Sequence, residues 1–202
     1  MKRWFGVAAF VLASMVSTAT FSATSPVFTP EFGRSLPPVG FVKFCVNNPG
    51  ECKNVGRRVK RLDLTPTAWN ALFKVNAEVN KDIAPLSDED QYGVPELWTY
   101  PVNAGDCEDY LLLKKRDLEK LGYDAGALLI TVVLDEKNEG HAVLTVATDR
   151  GDFVLDNRRN DILLWIDTGY TFLKRQSQQD PRAWIALTNG APKSVKTTAG
   201  NN

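Results

Sequence analysis

His141 is the single histidine of a 202-residue chain. It opens the alternating run His141-Ala142-Val143-Leu144-Thr145-Val146, which reads as a β-strand. Upstream, Cys107 sits in Gly105-Asp106-Cys107-Glu108-Asp109-Tyr110, and downstream Asp156 closes Phe153-Val154-Leu155-Asp156. A thiol, an imidazole and a carboxylate can fill the three roles of a cysteine nucleophile system: the attacking group, the base that takes its proton, and the acid that orients the base. Taken singly, a histidine is more often structural than catalytic, and a cysteine is more often a small buried hydrophobe. The surroundings of both argue against those readings here.

Around Cys107, Gly105 permits a tight backbone turn and Asp106 is a good N-cap type. Glu108 and Asp109 place acids in the first turn of a helix that runs through Tyr110 to Leu121, carries bases toward its end and stops at Gly122. Cys107 therefore falls at a helix N-terminus, where unpaired backbone N–H groups and the helix dipole favour thiolate. Asp106, Glu108 and Asp109 push the other way, unless a bound cation neutralises them. Three acids within four positions suit Ca²⁺, which takes hard oxygen ligands, but they equally suit plain partners of the helix dipole.

Around His141, Thr148-Asp149-Arg150-Gly151-Asp152 is turn chemistry between two alternating runs, 141–147 and 153–156. A two-residue turn at Asp149-Arg150 sets Asp156 opposite Val143 and makes it a diagonal neighbour of His141 on one face. A slip of one residue would send Asp156 to the other face.

The elements that position these groups form one α+β domain. Thr65-Pro66 gives an N-cap and a first-turn proline, followed by Trp69, Leu72, Phe73, Asn76, Val79 and Ile83 at helical spacing. A loop rich in Asp and Pro, 85–101, leads to the nucleophile turn. Within it Trp98 either walls the active-site cleft or anchors the loop in the core. Strands are expected at 127–134, 141–147 and 153–156, with shorter ones at 162–166, 170–175 and 184–187. Asp135, Glu136 and Glu139 could reach a cation, but a solvated acidic loop is the simpler reading.

Lys2 and Arg3 precede an apolar stretch over about 4–16, with small residues at Ser17-Thr18-Ala19 and Ser22-Ala23; residues 1–23 read as a secretory signal peptide. The stretch is shorter than the roughly 20 apolar residues of a spanning helix. The remainder, 24–188, is long enough for one hydrophobic core, and 189–202 reads as a disordered tail. The 24 basic and 24 acidic residues balance, with no basic stripe interleaved with aromatics, which excludes nucleic acid as a natural partner. No basic amphipathic segment argues for membrane binding after cleavage. Three cysteines in an exported chain leave one over if two pair. Cys45 and Cys52 flank the turn signal Pro49-Gly50 and are read as a disulfide; a metal site there would need further ligands, and none is near in sequence. Cys107 is then the free thiol.

Together, Gly-Asp-Cys-Glu-Asp-Tyr at 105–110, Leu129-Ile130-Thr131-Val132-Val133 followed by Gly140-His141-Ala142-Val143-Leu144, and Asp149-Arg150-Gly151-Asp152-Phe153-Val154-Leu155-Asp156-Asn157 resemble the bacterial transglutaminase-like cysteine peptidase family. The likeness runs from about 41 to 187 and includes Phe44-Cys45 with Cys52 and Tyr92-Gly93-Val94-Pro95-Glu96-Leu97-Trp98. It implies a papain-like or transglutaminase-like fold, with N-terminal helices and a nucleophile-bearing helix packed on an antiparallel sheet. It also implies that Cys107, His141 and Asp156 are nucleophile, base and orienting acid. The resemblance further implies a periplasmic protease that clips large surface adhesins and so releases biofilm cells. Ca²⁺ would be held by acids beside the cysteine, and a cyclic di-GMP receptor of the inner membrane would act as regulator. Hydrolysis is the first expectation. Acyl transfer to an amine differs only in what attacks the thioester, and a non-catalytic binding module on the same fold is the alternative of another class.

Overall fold

The computed structural model describes residues 1–2, 27–53 and 60–190. Apart from Met1 and Lys2, the expected signal peptide lies outside them, as does the tail beyond 190. Among the described residues no helix is long and apolar enough to cross a membrane.

Seven strands form one antiparallel sheet. In chain order they are β1 (Arg34–Ser35), β4 (Leu128–Leu134), β5 (Gly140–Thr148), β6 (Gly151–Asp156), β7 (Arg159–Leu164), β8 (Thr171–Gln176) and β9 (Trp184–Ala186), arranged β1-β9-β8-β4-β5-β6-β7. A separate parallel pair joins β2 (Ala84–Pro85) to β3 (Ala104–Gly105). The helices are α1 (Val39–Asn47), α2 (Pro66–Asp82), α3 (Asp88–Tyr92) and α4 (Cys107–Lys120). The expected mixed fold, with helices leading to an antiparallel sheet, is the one observed.

The central strands β4 and β5 are buried along nearly their whole length because both sheet faces are covered. On one face Leu128, Ile130, Ala142, Leu144, Val146 and Leu155 join Leu72, Val75 and Val79 of α2 and Leu111 and Leu118 of α4 in the main core. On the other, Val133, Val143, Val154, Phe172 and Leu187 form a smaller cluster with Trp165 and Tyr170 against it. The even and odd positions of each strand thus serve different cores, as a pleat of period two requires.

α2 begins where the sequence places it: Thr65 Oγ1 accepts from the Ala68 N–H, and Pro66 occupies the first turn. Its stripe is not wholly core. Phe73 is exposed, whereas Asn76 is fully buried and donates to the carbonyls of Arg159 and Asn160. Several short elements escape the sequence reading, among them α1, α3 and the two-residue strands β1, β2 and β3. α1 has no side-chain cap, and five-residue α3 lies within the expected 85–101 loop. β7 starts three residues before the expected strand and gives way to a short 3₁₀ turn at Trp165–Asp167.

Cys45 and Cys52 form the expected disulfide, seven residues apart, which ties the last turn of α1 to the loop after it. Closing so short a loop is worth about 2–3 kcal/mol on the chain-entropy account. The Cys45→Ser/Cys52→Ser double variant should lose that much in denaturant unfolding without losing the far-UV signature of the sheet. No change in the unfolding midpoint would show that packing of Phe41 and Phe44 alone holds α1.

Candidate active site

The β5–β6 hairpin takes the register read from the sequence. Thr148 pairs with Gly151 and Leu144 with Leu155, leaving Asp149-Arg150 as a two-residue turn. The turn is fastened from within, since Thr148 Oγ1 donates to the Gly151 carbonyl and accepts from the Arg150 N–H. The outcome is a bond at the far end of the hairpin: His141 Nε2 lies 2.9 Å from Asp156 Oδ1, both side chains almost fully buried.

Asp156 is strongly committed to its ionised form. Burial by itself pushes its carboxyl up, but hydrogen bonds from His141, from the Tyr170 hydroxyl at 2.6 Å and from the Arg158 backbone N–H at 3.1 Å hold it well below the usual carboxylate range. An ionised carboxylate only accepts, so Nε2 of His141 carries the hydrogen and Nδ1 is the nitrogen left free to act as base. Tyr170 also packs edge-on against the His141 ring, with centroids 5.6 Å apart. No sequence signal pointed to it, because it comes from the residue just before β8, a strand separated from the hairpin by β4.

Cys107 is the first residue of α4 and the free thiol among the described residues. The Ala142 backbone N–H, next to His141, donates toward its sulfur. The helix N-terminus and the start of β5 thus meet at the sulfur. The thiol donates to Glu108 Oε2 at 3.1 Å. Burial, then the charges of Glu108 and Asp106, push the Cys107 thiol well up, against the pull of the Ala142 N–H.

The acids divide in a way the sequence does not display. Asp88, Asp106 and Glu108 bring one carboxylate oxygen each to within 4.8 Å of one another. Asp106 occupies the N-cap position, yet its carboxylate makes no capping bond, so the plain dipole-partner reading does not account for it. Buried Oδ1 atoms of Asp88 and Asp106 have no hydrogen-bond partner. Asp88 enters the group because α3 folds the 85–101 loop back onto α4, and the Leu97 N–H donates to its other oxygen. Asp109, expected beside Asp106 and Glu108, is not one of this trio. It points into the protein, where its Oδ1 accepts from the Thr99 N–H at 3.0 Å and its side chain lies over Gly105. The role of Gly105 is this close approach: a Cβ there would stand 2.5 Å from Asp109 Oδ2.

Trp98 is a loop anchor and not a cleft wall. It is buried against Phe41 and over Gly40 of α1, and its indole N–H donates to Glu96 Oε1 at 2.8 Å. Asp135 and Glu136 are occupied by Arg158 and Arg159 at 2.7 and 3.2 Å, as a structural hairpin clamp.

The family profile described as bacterial transglutaminase-like cysteine proteinase (BTLCP) matches residues 31–191. The chain belongs to that family and is a cysteine peptidase of the transglutaminase-like class. Among solved structures it is similar to LapG of Legionella pneumophila. The calcium-bound form shares 24% identity at a TM-score of 0.52, over 65% of this chain and 75% of that one. The EGTA-treated form shares 25% at 0.51, over 61% and 69%. No curated protein is similar enough to count as a match.

The buried acids give the cation-free protein a distinctive pH response. Burial raises Asp109 to about 8, against the Thr99 N–H, and Asp88 to about 6, against the Leu97 N–H. Between the ordinary carboxyl value of about 4 and these raised values, the folded state holds protons that the unfolded chain releases, so its stability rises as pH falls. Lys114, lowered to about 7 by burial, is protonated in both states below that value. The lowered carboxyl of Asp156 matters only under about pH 5. In the presence of a chelator the melting temperature should therefore climb from about pH 7 to about pH 5. A flat or falling profile would show that these carboxyls are ionised in the folded protein.

Proposed function

We propose that the chain is an exported cysteine endopeptidase in which Cys107 attacks, His141 is the base and Asp156 orients it. The observation that carries this reading is the 2.9 Å bond between His141 Nε2 and Asp156, which leaves Nδ1 as the base nitrogen while the Ala142 N–H beside it faces the Cys107 sulfur. His141 Nδ1 takes the thiol proton and the sulfur attacks a peptide carbonyl. Backbone N–H groups at the start of α4 stabilise the oxyanion, the leaving amine takes the proton, and water resolves the thioester. An amine in place of water gives the transglutaminase reaction, which the same residues would support.

Asp88, Asp106 and Glu108 are the residues that would hold Ca²⁺. Their donors are hard oxygens, and two of them are buried without a partner. A bound ion would supply the positive charge that lets these carboxylates stay ionised beside the sulfur. Support for calcium comes also from LapG, solved in calcium-bound and EGTA-treated forms. The apolar stretch at about 4–16 supports export to the periplasm, and a surface protein such as an adhesin is the substrate class the family resemblance suggests. The same resemblance suggests an inner-membrane cyclic di-GMP receptor as regulator.

Cys107→Ala should abolish cleavage of a candidate surface protein and leave the melting temperature unchanged, and Asp156→Asn should leave weak residual activity. Running the assay with a labelled primary amine separates hydrolysis from acyl transfer. Full cleavage by Cys107→Ala would sink the mechanism.

EGTA should suppress cleavage and added Ca²⁺ restore it, with Mg²⁺ restoring less because it demands tighter octahedral geometry. Asp88→Ala should weaken the calcium response, while Glu136→Ala should not. Activity and melting temperature both indifferent to chelation would remove the ion from the account.

A further inference from the structure

The two oxygens of Asp156 are held by different parts of the chain. Oδ1 meets His141 Nε2 at 2.9 Å and accepts from the Arg158 backbone N–H at 3.1 Å. A carboxylate held through one oxygen still swivels about its Cβ–Cγ bond, because that torsion has no sharp wells. The second oxygen stops the swivel. Oδ2 accepts from the Tyr170 hydroxyl at 2.6 Å, with Arg159 Nε 3.7 Å away. The Tyr170 ring also stands edge-on to the imidazole, at 84° between the planes, so one side chain touches both members of the pair.

The hydroxyl is itself aimed. Arg159 Nη2 donates to it at 3.2 Å and also to Glu136 Oε1 at 3.2 Å, which holds the guanidinium in place. An oxygen that accepts from a guanidinium turns its own proton elsewhere, and here the acceptor is Asp156. Burial, and after it the bond to Asp156, push the Tyr170 phenol up, so the hydroxyl keeps the proton it donates. The backbone before β8 is shaped to present this side chain. The Tyr170 N–H donates to Thr168 Oγ1 at 3.1 Å, the Thr168 hydroxyl donates to the Trp165 carbonyl at 2.8 Å, and Gly169 between them takes a φ of +78°. A phenylalanine would pack equally well against the cluster of Val133, Val143 and Phe172. Packing therefore accounts for the ring and leaves the hydroxyl to be explained by its contact with Asp156.

We propose that Tyr170 is a positioning residue of the peptidase site: its hydroxyl, steered by Arg159, sets the plane of the Asp156 carboxylate, and its ring edge sets the plane of the imidazole. Oδ1 is thereby kept for Nε2, and Nδ1 is left for the thiol. Tyr170 touches no substrate and acts through the His141–Asp156 pair. Its effect on turnover, though not its contacts, rests on His141 and Asp156 working as base and orienting acid.

Tyr170→Phe keeps the ring and removes only the hydroxyl, so a purely structural ring predicts no change in the site. His141 is the single histidine, and its imidazole resonances need no assignment among rivals. In Tyr170→Phe the proton between His141 Nε2 and Asp156 should shift or broaden in the NMR spectrum. With the candidate surface protein as substrate, kcat should fall roughly tenfold with KM unchanged, the pattern of a misplaced base. Arg159→Gln should move the same resonance by less, and it serves as the test if Tyr170→Phe does not fold. An unmoved resonance in the folded variant overturns the proposal, as does a moved resonance with kcat unchanged. If Cys107→Ala still cleaves, the assignment of the nucleophile fails instead, and the resonance alone then decides whether Tyr170 positions the pair.

Discussion

The register of one hairpin governs the rest of the site. Thr148 opposite Gly151 leaves a two-residue turn, and counting away from it along a pleat of period two places Asp156 on the face that bears His141. The opposite parity would aim the carboxylate at the helix-covered core, where Leu144 and Leu155 pack, and leave an unpaired charge there. The apolar residues on either side of Asp156 and His141 hold the register because a slip would exchange the two cores of the sheet. The geometry of the pair is thus secured by burial along eight of the nine residues of β5 and not by the ion pair itself.

A second constraint is the conflict at the start of α4. The helix N-terminus favours thiolate, yet the acids beside it disfavour it. In the structure Glu108 accepts the thiol proton at 3.1 Å, a bond that holds the proton on sulfur. Close carboxylates in a desolvated setting repel strongly, and here they rise toward the protonated form. The arrangement makes physical sense as a sulfur whose readiness depends on what neutralises its neighbours. The Asp106 side chain, declining the capping bond its position offers, is the local sign of this.

Around these two points the molecule is built to keep the pair from moving. Tyr170, just before β8, and Arg158, in the turn after β6, fix Asp156, while Asn76 and Asn80 from α2 hold the turn backbone. On the opposite side, buried Asp152 binds Arg175 at 2.8 Å and also Arg61, and accepts from the Thr29 N–H, tying the chain before α1 to the sheet. Charge is used sparingly in the interior, and nearly always with a partner. Lys114 departs from that rule.

Sequence by itself determined whatever depends on near neighbours along the chain. Helix capping at Thr65-Pro66, Cys107 at a helix start, the disulfide across Pro49-Gly50 and the hairpin with its aligned Asp156 all follow from spacing, period and turn chemistry, which act over a few residues. Tertiary structure decided which acids share space. Asp88 joins Asp106 and Glu108 because α3 folds back on α4, and Asp109 leaves them because Gly105 lets it turn inward. Trp98, which spacing allowed at the cleft, went to the core because α1 offered it Phe41 and the bare surface of Gly40. Tyr170 reached Asp156 from another part of the chain for the same reason: its partner is set by packing, and no period in the chain encodes that distance.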